Sequence, residues 1–250
     1  MKNFIIEDNF PLSVARGKVK GASVVNIFGF NDSTTTNMRA LWELANTTDY
    51  VFPTSAVNMT VTSDAADDGK TMLIVGLDAN YEEIQETVTL NNATPPVTTL
   101  AFLRIQNVVM ISATNTDNVS VTNGGVTYAR INATLGTNQA SIYTVPAGHC
   151  FFLYRIDAFM NDASAAKPGL FRNRVAFTNG RVLRVADTPF LNQMNIQRRF
   201  PFKYAEKTDI QLQVGTLSGT TYAGVFGEGI LVKEDTPIPG NTDYLHFPAP

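Results

Sequence analysis

His149 and Cys150 are the first residues whose types could do chemistry, because a histidine can activate a neighbouring thiol as a nucleophile. Adjacent residues of a strand point to opposite faces, so the two side chains cannot pair as a dyad if this segment is a strand. The chain has two histidines and one cysteine. A His/Cys zinc site is therefore nearly excluded, and so is an intrachain disulfide. We interpret His149 as the entry to a strand and Cys150 as a buried residue.

Carboxylates are the second candidate for chemistry. Two groups lie close together in the chain, namely Asp64, Asp67 and Asp68, then Glu82, Glu83 and Glu86. The aspartates offer the oxygen ligands that calcium prefers, but their spacing is not that of an EF-hand loop. The glutamates do not form a glycosidase pair, since two of them share one strand face and the third points the other way. A solvated turn and a solvated sheet face are favoured. We predict no catalytic residue, no metal ligand and no cofactor.

Charge is distributed unevenly along the chain. The net charge of −3 argues against nucleic acid as a partner. Residues 64–86 hold seven acids and one lysine, whereas residues 167–207 hold nine Lys or Arg residues and two acids. We predict that the basic segment meets an acidic protein surface between copies, which would fix their orientation. Nucleic-acid binding and ordinary surface charge are the alternatives. The predicted interface residues here are Arg172, Arg174, Arg198 and Arg199.

Short alternating segments separated by turn residues predict an all-β fold. Charged residues make up 16% of the chain, against about 25% in typical domains, and β-branched Thr and turn-forming Asn take their place. Residues 71–90 read as a hairpin around Asp78-Ala-Asn80. We expect one or two antiparallel β-sandwich modules of the jelly-roll type, with Leu153 and Ile156 buried. Residues 33–45 are the one candidate helix.

The predicted organisation has two sandwiches between two extended ends. The parts are an N-terminal arm (1–22), a first β-sandwich (23–122), a second β-sandwich (123–235) and a Pro-rich tail (236–250). Phe4, Ile5 and Ile6 make the arm apolar, so it should pack on its own domain or on a neighbouring copy. These three are the remaining predicted interface residues. No signal-peptide core and no run of 18 apolar residues occurs, so we expect folding in a cytoplasm and no membrane partner.

Strand-and-turn segments across residues 23–235 carry a family resemblance. They are IVGLDANYEEIQETVTLNN, PVTTLAFLRIQNVVM, ASIYTVPAGHCFFLYRI and FPFKYAEKTDIQLQV followed by AGVFGEGILVKED. In this order and spacing the chain resembles structural proteins of tailed-bacteriophage virions, generally described as head-decoration or unassigned structural proteins. The resemblance implies β-sandwich modules without cofactor or catalysis. It also implies a virion component that is made in the cytoplasm of a host bacterium.

The role that follows from this resemblance is a capsid-decorating or cement protein that stabilises the assembled head. A protein that binds only the assembled shell adds its binding free energy to the intact state. The expected partners are further copies of the chain, as a trimer, and the major capsid protein or other virion proteins. A tail or fibre component that attaches to the host surface is the alternative. An enzyme such as a depolymerase is a third and weaker interpretation.

Overall fold

The structure is a computed structural model that describes residues 10–161 and 166–234. These residues form sixteen strands, one short α-helix, α1 (Phe10–Ala15), and a 3₁₀ turn (Ala65–Asp67). The all-β prediction is confirmed. Residues 10–15 of the predicted extended arm are helical, because the turn buries Val14 beside the first strand. Phe4, Ile5 and Ile6, together with the predicted tail 236–250, lie outside the described residues.

The strands follow one another with short connections. Their bounds are β1 (Ala22–Thr34), β2 (Arg39–Ala40), β3 (Val57–Thr62), β4 (Thr71–Leu77), β5 (Glu83–Thr89), β6 (Val97–Phe102), β7 (Arg104–Met110), β8 (Val119–Asn123), β9 (Val126–Ile131), β10 (Ile142–Thr144), β11 (His149–Asn161), β12 (Pro168–Ala176), β13 (Val182–Leu191), β14 (Gln193–Tyr204), β15 (Asp209–Thr216) and β16 (Thr221–Lys233).

Two four-stranded layers form the larger sandwich. One layer has the order β1-β16-β11-β14 and the other β10-β15-β12-β13, and the single pair Leu191–Gln193 joins them at a corner. Apart from the β12–β13 hairpin, each connection between successive strands of this set crosses from one layer to the other. Eight antiparallel strands connected in this way form a jelly roll. Its core buries Phe151, Leu153 and Ile156 of β11 against Phe171 of β12, so the predicted burial of Leu153 and Ile156 is confirmed.

One strand of the jelly roll is interrupted. β2 and β10 lie end to end along the same edge of β15, because Ala40 is opposite Gln213 and Ile142 is opposite Gln211. The chain leaves this strand at Leu41 and returns to it at Ser141. The backbone N–H of Ser141 donates to the carbonyl of Leu41 at 2.8 Å, so the two ends of the insertion meet at one point.

The insertion is a second, smaller sandwich. Its layers have the orders β6-β3-β8-β9 and β5-β4-β7, and they enclose a separate apolar core that includes Met59, Ile74 and Phe102. β1, near the start of the described chain, therefore pairs with β16, near its end. The predicted division into units 23–122 and 123–235 stays a prediction, since pairing does not measure which segments fold alone.

Local predictions had mixed outcomes. The hairpin predicted over residues 71–90 is confirmed as β4 and β5. The predicted helix at 33–45 is wrong: β1 continues to Thr34, and the rest forms β2 and turns. These turns bury Leu41 in the jelly-roll core and Trp42 in a separate cluster with Tyr50 and Ile142. A bulge lies near Gly227–Gly229, because Tyr154 is an extra residue of β11 at this level. Gly229 is needed there, since a Cβ would lie 2.3 Å from the Phe151 ring.

Candidate interaction surface

The free edge of β14 carries a bulge of four residues. β14 pairs with β11 at Phe202 and again at Gln197, with only Tyr154 intervening on β11, so residues 198–201 loop out of the ladder. We name Arg198-Arg199-Phe200-Pro201 the Arg-Phe bulge. Pro201 has no N–H and cannot support pairing with another strand at this point. The edge is therefore shaped to present side chains instead of backbone groups.

Side chains of the Arg-Phe bulge are available to a partner. Phe200 is 77% exposed, the largest value among the exposed large apolar residues of the described chain. The guanidinium of Arg198 lies 3.7 Å from the centroid of Phe202, and that of Arg199 lies 5.8 Å from the centroid of Phe200. Neither arginine has a carboxylate within 4 Å among residues 10–161 and 166–234. Aromatic and arginine side chains are enriched at protein interfaces.

Arg172 and Arg174 lie on β12, in the other layer, and both have partners. Arg172 donates to both carboxylate oxygens of Asp187 at 2.8 and 3.0 Å. This hydrogen bonding lowers the pKa of Asp187 below its usual range and raises that of Arg172. Arg174 donates to the side-chain oxygen of Gln211 at 3.3 Å. Arg172 and Arg174 on β12 thus have side-chain partners, whereas Arg198 of the bulge donates to the backbone carbonyl of Phe200 at 3.3 Å. The role of all four arginines at an interface stays a prediction.

The acidic segment is used mainly within the chain. Asp67 is fully buried and accepts from Lys70 at 2.8 Å and from the backbone N–H of Thr116 at 2.6 Å. Burial raises the pKa of Asp67, but these donors outweigh it and the pKa lies below the usual value. Asp78 accepts from two backbone N–H groups of its own turn. Glu86 accepts from two N–H groups of β6. Within the described ranges, no group of three metal-ligating side chains lies together.

Remaining candidates for chemistry are accounted for by local structure. Cys150 is buried, and burial raises the pKa of its thiol. His149 Nδ1 lies 2.8 Å from the carbonyl oxygen of Ala147, in the turn that precedes β11. The helices in the described part of the chain are too short to span a membrane.

Arg104 forms a buried junction between the sandwiches that the sequence analysis missed. Its guanidinium donates to both carboxylate oxygens of Asp209 at 2.8 and 2.9 Å, and to the carbonyl of Pro53 at 2.9 Å. It also lies 4.8 Å from the centroid of the Phe52 ring. Thr144 donates to the same carboxylate at 2.6 Å. Because Arg104 begins β7 of the insertion and Asp209 begins β15 of the jelly roll, this pair fixes the two sandwiches together.

A cleft of about 470 Å³ lies where the insertion meets β1. Its lining includes Phe28, Asp32, Glu43 and Leu135, and we name it the acidic cleft. Phe28 and Leu135 are exposed apolar residues, at 39% and 43%. Glu43 Oε1 accepts from the backbone N–H of Gln139 at 2.5 Å, whereas its buried Oε2 has no hydrogen-bond partner among the described residues. Sequence reasoning missed this cleft because its residues come from three distant segments.

Glu43 should make stability depend on pH. Burial raises its pKa from 4.5 to about 7, although the N–H of Gln139 and the charge of Arg130 lower it. Because the folded state holds this proton more tightly, the unfolding free energy should fall as pH rises from 4.5 to 7. At about 1.4 kcal/mol per pKa unit, we expect a fall of about 1–3 kcal/mol. Urea unfolding of the wild type and Glu43→Gln across this range measures it. Glu43→Gln should show no such fall. Equal pH profiles of the unfolding free energy for the two proteins would contradict the raised pKa of Glu43.

Comparisons with known proteins leave the family open. No family model and no curated protein matches the chain. Among solved structures, the chain is partly similar to the Gt strain of infectious bursal disease virus, with 9% identity, a TM-score of 0.21, and coverage of 88% of this chain and 74% of that one. The VP2 subviral particle of infectious bursal disease virus gives 9% identity, a TM-score of 0.24 and the same coverage. These TM-scores are too low to support fold or role.

Proposed function

We propose that this chain is a non-enzymatic structural protein of a bacteriophage virion that decorates and stabilises the assembled capsid. The observation that carries the proposal is the Arg-Phe bulge on an edge strand of the jelly roll. In it an exposed aromatic residue lies between a proline and two arginines that have no carboxylate partner in the described chain. Such a surface is suited to contact with another protein chain, because aromatic and arginine side chains are enriched at interfaces.

The architecture supports this role. Jelly rolls occur in viral capsid domains, and also in lectin domains and cupins. Fold alone does not assign function, so the proposal depends on the surface and on the strand-and-turn resemblance to tailed-phage virion proteins. The bidentate Arg104–Asp209 pair holds the second sandwich in a fixed place. A decorating protein with two fixed modules can contact several shell subunits at once and gain avidity from them.

Self-association belongs to the same proposal. Most soluble oligomers are symmetric homo-oligomers, and we propose that a neighbouring copy covers the apolar residues Phe4, Ile5 and Ile6. We propose a trimer that forms in the cytoplasm of the host bacterium and binds the major capsid protein, without nucleic acid or membrane as a partner.

A binding experiment with assembled shells tests the role. Purified protein is mixed with expanded, DNA-free phage capsids, and bound protein is measured after sedimentation. We expect saturable binding, a rise in capsid melting temperature and weaker binding at higher salt, since screening acts over about 8 Å at physiological ionic strength. A mobility-shift assay with DNA runs in parallel. Tight DNA binding, or host-surface binding without capsid binding, would contradict the proposal, and the latter would favour the fibre alternative.

Arg199→Glu tests the basic surface within that experiment. Arg199 is exposed and has no carboxylate partner, so its reversal should weaken assembly or shell binding without unfolding the chain. Lys20→Glu is the matched control, because Lys20 is also exposed but lies outside the basic segment. Wild-type binding and assembly by Arg199→Glu would remove the basic surface from the proposal.

A further inference from the structure

The Arg-Phe bulge and the acidic cleft are complementary in charge and in polarity. The bulge presents Phe200 beside two arginines that have no carboxylate partner in the described chain. The cleft presents exposed Asp32 and partly buried Glu43, and neither has a basic partner within 4 Å among the residues that the structure describes. The bulge therefore offers positive charge, and the cleft offers the exposed carboxylate of Asp32.

The cleft can hold the ring of Phe200. Its volume of about 470 Å³ falls in the range of about 300–1,000 Å³ that is typical of pockets for small molecules. Phe28 and Leu135 supply apolar contact for an inserted ring, and burial of an aromatic side chain is a main source of binding free energy at interfaces. The partnerless Oε2 of Glu43 accepts a hydrogen bond, which an arginine can donate.

The bulge and the cleft lie on opposite edges of one layer. Phe200 is on β14 and Phe28 is on β1, and β16 and β11 separate these strands. Three strand spacings keep them roughly 14 Å or more apart. A contact between them must therefore join two molecules.

We propose that the Arg-Phe bulge of one copy inserts into the acidic cleft of a second copy of this chain. Phe200 fills the space between Phe28 and Leu135, and Arg199 pairs with Asp32. The contact is head-to-tail, because each copy contributes its Arg-Phe bulge to one neighbour and its acidic cleft to another. Repetition of a head-to-tail contact closes a ring if its rotation permits and otherwise extends a chain. The proposal deepens the self-association that belongs to the proposed function.

Crosslinking between single-cysteine variants tests the head-to-tail geometry. The native Cys150 is buried, and the wild type measures its background. Phe200→Cys and Leu135→Cys are purified separately, mixed in equal amounts and treated with a short bismaleimide. We expect covalent dimers with one copy of each variant from the mixture and none from either variant alone. Leu217→Cys, at an exposed position outside both surfaces, replaces Leu135→Cys as the control and should give no dimer.

A second test exchanges two charges and keeps Phe200. It therefore remains decisive even if loss of the Phe200 ring in the crosslinking variant weakens the contact. Arg199→Glu should raise the dissociation constant of self-association by about tenfold or more. Adding Asp32→Arg should restore it to within about threefold of the wild type, because the pair is then reversed. Light scattering over a dilution series gives the constants.

Three results would overturn the contact: dimers from Phe200→Cys alone, wild-type self-association by Arg199→Glu, or a charge exchange without rescue. A wild type that stays monomeric at micromolar concentration would also overturn it. Both experiments use the purified chain without capsids. If their results contradict the contact while the wild type still binds capsid shells, the head-to-tail contact is wrong and the decorating role stands.

Discussion

Replacing Arg104 with methionine is expected to lower the free energy of unfolding by about 3–5 kcal/mol, because it leaves the Asp209 carboxylate uncompensated at a largely buried site. The side chains of the pair are only 9% and 12% exposed. The double variant Arg104→Met with Asp209→Leu should lose less, since it leaves no unpaired charge. Urea unfolding followed by the fluorescence of Trp42 measures the change, and this single tryptophan is 1% exposed at the junction.

The Arg172–Asp187 pair provides a matched control for Arg104. It has the same bidentate geometry, at 2.8 and 3.0 Å, but the Asp187 side chain is 39% exposed. Arg172→Met should therefore cost about 0–1 kcal/mol. Equal losses for Arg104→Met and Arg172→Met would show that burial of the Arg104 pair does not matter, and would contradict its role as the junction.

Leu153→Ala is expected to destabilise the jelly roll by about 2–5 kcal/mol. Leu153 is fully buried in the larger core, where its side chain packs beside β16, close to Gly227. Removing it takes away apolar contact and leaves a cavity that the surrounding strands fill only in part. Chemical denaturation gives the loss.

Leu217→Ala is the control for Leu153→Ala, because Leu217 is 57% exposed and the same truncation should change stability by less than about 0.5 kcal/mol. A loss below about half a kcal/mol for Leu153→Ala would mean that β11 does not contribute its inward face to the core.

Local periodicity predicted the strands well where one face is buried. The β4–β5 hairpin and β11 follow alternation and turn residues that lie close together in the sequence. The candidate helix at 33–45 failed because tertiary packing decided the outcome. Met38, Leu41 and Trp42 have helical spacing, yet they pack in three different places. Met38 lies beside Gly215, Leu41 lies in the jelly-roll core, and Trp42 lies in a separate cluster with Tyr50 and Ile142. β6 and β7 are separated by Leu103 alone and belong to two different layers, which no local pattern indicates.

The candidate surface was predicted only in part. Charge counting found the arginines of residues 167–207, but it could not separate those with partners from those without, since Asp187 lies across a strand pair from Arg172. Pro201 inside a strand pattern was the available sign of a bulge. The acidic cleft had no local sign, because Asp32, Glu43 and Leu135 come together only when the insertion folds against β1.

The interruption of one jelly-roll strand has a consequence for how this chain can change. β2 and β10 already lie on one line along β15, and the N–H of Ser141 donates to the carbonyl of Leu41 although the two residues are 100 positions apart in the sequence. If Ala40 were joined directly to Ser141, Ser141 would lie opposite Leu212, and β2 and β10 would form one continuous strand. The loop-closure free energy grows by only about 0.6 kcal/mol for each doubling of length, so modules of different size can occupy this position at similar cost. The jelly roll is thus a constant frame, in which the inserted sandwich can be exchanged while the strand order of the jelly roll stays the same.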